Sequence, residues 1–107
     1  MKYLVFILKD ATQDILELYE YVALNDALSK ADKLIEKLEE KCKSLSDYAN
    51  RGRIPPELDR VSVYSYLEIH YKSYRIIYQI IDKNVFIHCI LDGRRDLTEL
   101  LHERLLR

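Results

Sequence analysis

The second half of the chain shows the hydrophobic pattern of β-strands. Apolar and polar residues alternate over 67–71, which predicts a half-exposed strand. Two longer apolar runs, rich in β-branched and aromatic residues, follow at 74–81 and 85–91, and a short polar turn at 82–84 separates them. Because short links join antiparallel neighbours, we expect a three-stranded meander.

The first half has helical spacing after one apolar run. The run at 3–8 is continuous, which predicts a strand buried on both faces and therefore not at a sheet edge. A helix is predicted over about 11–23, with Asp10 as its N-cap, and an amphipathic helix over about 26–46. We expect the two helices to form an antiparallel hairpin that packs on its own sheet. A coiled-coil partner is the alternative for the second helix, but its apolar seam spans only about three heptads.

The remaining segments complete a single domain over residues 1–107. Residues 46–59 contain both prolines and one of the two glycines, which indicates a loop. A short C-terminal helix is predicted over about 97–105, with Asp96 as a candidate N-cap. The order of elements predicts an α+β fold, a two-layer sandwich with the helical hairpin on one sheet face and an open or concave face opposite.

Charge is nearly balanced over the chain but unevenly distributed. The formal net charge is -1, which argues against indiscriminate nucleic-acid binding. Residues 1–50 carry -3 and residues 51–107 carry +2, and all eight arginines lie in the second part. Arginine suits phosphate or carboxylate groups, so this half is the candidate binding surface, although ordinary solvated charge is an equal alternative.

Strand alternation predicts which side chains share the open face. These are Glu68, His70, Arg75, Gln79 and His88. An arginine in mid-strand must be solvated or paired, so Arg75 either forms an ion pair with Glu68 or binds phosphate or carboxylate. His70 or His88 with Glu68 would form a general acid–base pair, although a half-buried histidine is the more common outcome.

Several classes of chemistry are not expected. The histidines and the two cysteines lack metal-ligand spacing, so we expect no metal and no cofactor, and Cys42 and Cys89 as buried hydrophobes in a reducing compartment. Gly52 and Gly93 are the only glycines, which excludes a glycine-rich phosphate loop. The apolar run at the start is too short for a membrane span, and we expect a cytoplasmic protein.

Two motifs carry a family resemblance. Tyr74-Arg75-Ile76-Ile77-Tyr78 is followed by a hairpin and then by Leu91-Asp92-Gly93-Arg94-Arg95-Asp96-Leu97. Together with the order of elements, these resemble the RelE/ParE toxin superfamily over nearly the full chain. The resemblance implies the toxin of a type II toxin–antitoxin system, of the kind involved in plasmid stabilization. It also implies a cognate antitoxin that wraps the toxin with a helix and an extended segment. The expected assembly is a toxin homodimer or a heterotetramer of toxin and antitoxin.

The resemblance also implies candidate site residues. Arg75 is similar to the strand arginine of RelE-like nucleases, and Arg94 or Arg95 to their second arginine. The loop and strand lysines of those nucleases have no clear counterparts beyond Arg51, Arg53 and Lys72. The candidates for contacting a target or its phosphates are Arg75, Arg94, Arg95, Arg51 and Arg53.

Three functions are compatible with these residues. The near-neutral charge, the aspartate in place of a histidine before Gly93 and the C-terminal helix favour a ParE-like toxin that inhibits DNA gyrase by binding, without being an enzyme. The alternative is a RelE-like, metal-independent endonuclease that cuts mRNA in the ribosome. It would use Glu68 or His70 and His88 for proton transfer and Arg75 with Arg94 at the phosphate. The third is an inactive family member that acts only as a binding module.

Overall fold

Helices and strands occupy most of residues 2–106, which the computed structural model describes. The predicted order of a strand, two helices, three strands and a final helix is confirmed. The bounds are β1 Leu4–Ile7, α1 Lys9–Asn25, α2 Leu28–Lys43, α3 Pro56–Asp59, β2 Leu67–Tyr71, β3 Tyr74–Ile81, β4 Asn84–Asp92 and α4 Thr98–Leu105. Two 3₁₀ turns, Ser44–Ser46 and Ala49–Arg51, lie between α2 and α3.

The four strands form one sheet in the order β1-β4-β3-β2. The predicted antiparallel meander of β2, β3 and β4 is confirmed. β1 pairs in parallel with β4, from Leu4 opposite Asn84 to Ile7 opposite Ile87. The chain therefore passes through both long helices and through β2 and β3 before β4 pairs with β1.

The prediction that the first strand avoids an edge is wrong. β1 is an edge strand, and its Leu4 and Phe6 are 63% and 44% exposed. Its apolar run is continuous because Val5 and Ile7 pack against the core, whereas Phe6 stacks on Phe86 with ring centroids 5.5 Å apart. A continuous apolar run therefore reflects an exposed aromatic pair here rather than burial on both faces.

The main core lies between the sheet and helices α1 and α2. This confirms the two-layer sandwich and the amphipathic character of α2. Leu28, the first residue of α2, is an exception, because its apolar side chain is exposed. The buried members of this core are Ala11, Ile15, Leu34, Leu38, Cys42, Leu45, Ala49, Ile69, Ile76, Tyr78, Val85, Ile87 and Ile90.

The opposite face of the sheet is not open along its whole length. Helix α4 covers part of it and buries Leu97 and Leu101 completely. These two leucines pack with Ile77, Cys89 and Leu91 in a second apolar cluster. The C-terminal helix thus covers part of the face that was expected to be open, and only the remainder of this face can form a cleft.

A β-bulge interrupts β4 at His88. Ile77 lies opposite Cys89 and Tyr78 lies opposite Ile87, which leaves His88 without a partner on β3. An extra residue in one strand shifts the side chains that follow it to the other face.

We expect side chains to alternate between the two sheet faces along 85–91. This prediction is wrong beyond the bulge. Ile90 packs in the main core, whereas Cys89 and Leu91 lie under α4. Both predicted buried cysteines are buried.

An ion pair fixes α4 to the bulge and to α1. Asp14 of α1 is 6% exposed and accepts a hydrogen bond from the backbone N–H of Ile90 at 3.0 Å. Arg104 of α4 donates to the two carboxylate oxygens of Asp14 at 2.9 and 3.1 Å, and to the carbonyl oxygen of His88 at 2.7 Å. One arginine thus joins three elements at the point where the sheet is irregular.

The segment predicted as a loop over 46–59 contains local helical structure instead. Besides the two 3₁₀ turns, α3 begins at Pro56, because proline lacks an N–H that the first turn of a helix leaves unpaired.

Tyr78 anchors the start of this segment. Its hydroxyl donates to the carbonyl oxygen of Ala49 at 2.6 Å and accepts from the N–H of Gly52 at 3.1 Å. A side chain at Gly52 would meet this hydroxyl, which explains the glycine.

The predicted helix caps are only partly right. Asp10 is not the N-cap of α1, because the helix already begins at Lys9 and Leu8 takes the cap position. Asp10 instead lies in the first turn, where a carboxylate favours the helix dipole. Asp96 is not the N-cap of α4 either, because Leu97 takes that position, but its carboxylate accepts hydrogen bonds from the N–H and the hydroxyl of Thr98 at 3.0 and 2.8 Å.

Replacing Tyr78 with phenylalanine tests the anchor. We expect the free energy of unfolding to fall by about 1–3 kcal/mol, because Ala49 and Gly52 lose their partner in a buried place. Urea unfolding would show a lower midpoint with an unchanged slope. Tyr64→Phe is the control, since Tyr64 is exposed and its change should stay within about 0.5 kcal/mol. Equal midpoints for the two variants would contradict the anchoring role.

Candidate functional site

The candidate site is built on Arg75 in β3. Arg75 is only 8% exposed, and its Nε donates to Oε1 of Glu68 at 2.8 Å. Glu68 lies on the neighbouring strand β2 and is 1% exposed. The ion pair that the sequence offered as one of two interpretations of Arg75 is therefore present.

A second carboxylate holds the other end of the same guanidinium. Glu57 of α3 accepts from Nη1 and Nη2 of Arg75, both at 2.7 Å. These hydrogen bonds from Arg75 hold the pKa of Glu57 below its usual range, and the Glu57 carboxylate raises the pKa of Arg75. Because both charged forms are favoured, the pair stays ionised and the guanidinium is enclosed between two acids.

Glu68 binds two further groups through its other oxygen. Its Oε2 lies 3.2 Å from Nε of Arg53 and 3.1 Å from Nε2 of His70. Arg53 also joins the sheet through its backbone, in a single antiparallel bridge with Glu68. The buried carboxylate of Glu68 is therefore the centre around which three of the predicted site residues meet.

A cleft of about 280 Å³ lies over this network. It is open to solvent, and its lining is formed by Arg53, Pro56, His70, Lys72, Ser73, Arg75, Gly93 and Arg94. Gly93 closes one side against the stem of Arg75. A Cβ atom at Gly93 would lie 2.7 and 2.8 Å from Cδ and Cγ of Arg75, so only glycine fits.

The two consecutive arginines after β4 face different surroundings. Arg94 lines the cleft, and its guanidinium is held by Asp92 at distances down to 2.6 Å. Arg95 is exposed and lines a separate groove between α1 and the end of β4, with Tyr21 and Glu17. The geometry therefore brings Arg94, and not Arg95, to Arg75.

Arg51 lies apart from the cleft. Its guanidinium donates to the carbonyl oxygens of Ser44 and Asp47, both at 3.2 Å, and to the hydroxyl of Ser44. These bonds close the 3₁₀ turns after α2. The position of Arg51 is thus explained by local structure.

His88 also lies apart from the other predicted residues. At the bulge, its ring packs edge-on against Tyr66, with centroids 5.3 Å apart, and Arg104 and Leu105 lie beside it. Burial lowers the pKa of His88. Its Nε2 atom is buried and has no hydrogen-bond partner among residues 2–106. The expected convergence of the open-face residues therefore holds for Glu68, His70 and Arg75. It does not hold for His88, nor for Gln79, which lies opposite Phe86 and does not line the cleft.

Among residues 2–106, no three His, Cys, Asp or Glu side chains are grouped so that they could hold a metal ion. In the same range, no helix is both long enough and apolar enough to cross a membrane.

The motifs and the fold match a known family. The family model for the ParE toxin of the type II toxin–antitoxin system, parDE, matches residues 5–97. The chain belongs to the ParE toxin family. The resemblance to the RelE/ParE superfamily drawn from the Tyr-Arg and Gly-Arg-Arg motifs is confirmed. No curated protein sequence matches the chain.

Solved structures of related toxin systems share the ParE-like fold. The chromosomal ParDE system of P. aeruginosa superposes with a TM-score of 0.70 at 19% identity, over 83% of this chain and 94% of that chain. The RelBE2 toxin–antitoxin complex of Mycobacterium tuberculosis gives 0.65 at 19% identity, over 86% and 92%. A free mutant of the E. coli toxin RelE gives 0.54 at 24% identity, over 100% and 98%.

Sequence reasoning missed Glu57 in this ParE-family site. The residue follows Pro55-Pro56 in a segment that looks like a loop, and no local pattern links it to β3. The available signal was an acid at the start of a proline-led turn, where a carboxylate favours a helix N-terminus. That signal predicts a short helix but not its contact with Arg75.

The acid dependence of stability tests the Arg75–Glu57 pair. The pKa of Glu57 is depressed in the folded state, so its contribution to stability is present above its ordinary pKa of 4.5 and is lost as the pH falls below that value. We expect Glu57→Gln to lower the free energy of unfolding by about 1.5–3 kcal/mol at neutral pH. The difference from wild type should shrink towards about pH 3 in urea titrations.

Asp59→Asn is the matched control, because it removes an exposed acid from the same helix. It should change little at either pH. A wild-type-minus-Gln difference that stays constant from neutral to acid pH would contradict the ionised pair.

Proposed function

We propose that this chain is a ParE-like toxin that inhibits DNA gyrase by binding and that a cognate antitoxin neutralises it. Membership of the ParE family and the similarity to a ParDE system support the proposal. The pairing of Arg75 with two carboxylates is the observation that supports a toxin without enzymatic activity. A nuclease needs free cations at the scissile phosphate, whereas Arg75 is enclosed by Glu57 and Glu68.

The positions of the other candidates fit a binding protein. His88 lies at the bulge of β4 beside Tyr66, outside the cleft that His70 lines, so among residues 2–106 it does not join the Glu68–His70 pair. We infer that the exposed basic residues Arg53, Arg94 and Arg95 contact the protein target instead. Exposed arginines are common anchors in protein interfaces, where their planar heads bind carboxylates.

A ribosome-dependent mRNA nuclease is the second candidate. The contact between His70 and Glu68 at 3.1 Å, at the wall of an arginine-lined cleft, is the observation that favours it. Such a pair can transfer a proton if the RNA enters the cleft.

The antitoxin proposal rests on the relatives, of which the ParDE and RelBE2 structures are described as toxin–antitoxin systems or complexes. We propose that this chain forms a complex with a cognate antitoxin in the cytoplasm. The assembly contains a toxin homodimer or is a heterotetramer of toxin and antitoxin.

Parallel assays of supercoiling and translation test the proposal. Purified protein should block supercoiling of relaxed plasmid by gyrase and leave mRNA intact in a translating extract. Arg95→Ala should weaken the block by at least about fivefold, equivalent to about 1 kcal/mol of binding. Arg60→Ala, which changes another exposed arginine, serves as its control.

The remaining outcomes separate the alternatives. Codon-linked mRNA cleavage with normal supercoiling would replace the gyrase proposal by the nuclease. Normal supercoiling, intact mRNA and normal growth when the chain is expressed without its partner would indicate an inactive family member.

A further inference from the structure

We propose that Glu57 is a built-in anion that occupies Arg75 and thereby excludes phosphodiesters from the cleft. The carboxylate of Glu57 meets Nη1 and Nη2 of Arg75 in a two-pronged arrangement at 2.7 Å. Arginine offers the same two-pronged geometry to a phosphate group. Glu57 thus takes the position that a phosphate of a bound RNA would need.

Burial makes this occupation strong. The side chains of Arg75 and Glu57 are only 10% and 12% exposed. Water screens such a pair poorly, and a phosphate must displace the carboxylate to reach the guanidinium. An exposed pair would exchange with solvent anions far more readily.

The two acids that hold Arg75 have different roles. Glu68 binds Nε from the neighbouring strand, and its side chain is completely buried, so it fixes the arginine in place. Glu57 comes from α3, a helix of four residues outside the sheet, and it is the acid that binds Nη1. Removal of Glu57 should therefore free Nη1 while Glu68 still positions the guanidinium.

The other cations of the cleft also have partners within the chain, although these are more exposed than Arg75. The other two arginines of the cleft contact internal carboxylates, Arg53 that of Glu68 and Arg94 that of Asp92. Lys72 contacts the ring of Tyr71 instead. The cleft is therefore lined by cations but is largely neutralised from within, and Glu57 supplies a carboxylate to its most buried arginine.

This inference deepens the proposed function, because it names the residue that would keep a ParE-like binding protein from acting on RNA. It does not depend on gyrase being the target. RNA binding is measured with the toxin alone, so a failure here and a failure to inhibit supercoiling are separate results.

Anisotropy titration of a short fluorescein-labelled single-stranded RNA tests the proposal. Wild-type protein should bind weakly at low salt. Glu57→Ala should bind at least about tenfold more tightly, as one new charge-assisted hydrogen bond to phosphate allows. The slope of log affinity against log salt should steepen by about 0.7, the value for one additional phosphate contact on a single strand.

Two further variants make the result specific. Asp59→Asn changes the net charge as Glu57→Gln does but does not touch Arg75, and it should leave RNA affinity within about twofold of wild type. The double variant Glu57→Ala/Arg75→Gln should lose the gain. If Glu57→Ala does not fold, as circular dichroism would reveal, the nearly isosteric Glu57→Gln carries the test and should also bind more tightly than Asp59→Asn.

Either of two results would overturn the proposal. One is that Glu57→Gln and Glu57→Ala bind RNA no better than Asp59→Asn. The other is that the double variant keeps the full gain, since this variant has the net charge of the wild type and the effect would then come from something other than Arg75.

Discussion

A buried guanidinium in a β-strand is the constraint on which the site depends. Burying Arg75 is unfavourable unless its donors are paired, and two acids from different elements supply the partners. Glu68 must therefore lie on the adjacent strand, and α3 must pack close enough for Glu57 to reach. Gly93 must lack a side chain, because the stem of Arg75 fills the space beside it. One charge thus fixes a strand pair, a short helix and the turn that leaves β4.

The same residues give the cleft its chemical character. A surface lined by arginines suggests an affinity for nucleic acid, but the arginines of this cleft already contact carboxylates of the same chain. The affinity of the cleft for nucleic acid depends on how far each guanidinium is free to bind a phosphate. The carboxylates that contact these guanidinium groups limit that freedom.

Local patterns predicted the fold well, and the site only in part. The strands β2 and β3 follow directly from alternation and β-branched content, and the pairing of Arg75 with Glu68 follows from their places on neighbouring strands. The bulge at His88 is one extra residue that no alternation reveals, and it removed His88 from the expected cluster. Glu57 was missed because its contact with Arg75 joins a proline-led turn to a strand, and such long-range pairing leaves no periodic signal.

The ion pair between Asp14 and Arg104 joins residues 90 positions apart. The parallel pairing of β1 with β4 likewise spans about 80 residues, and contacts of such long range make folding slow. During synthesis at roughly 5–20 residues per second, β1 waits about 4–16 s for the strand with which it pairs. A nascent chain therefore has helices but neither a finished sheet nor a cleft. The cleft over Arg75 is complete only when β4 and the turn after it have left the ribosome, because Gly93 and Arg94 form part of its lining.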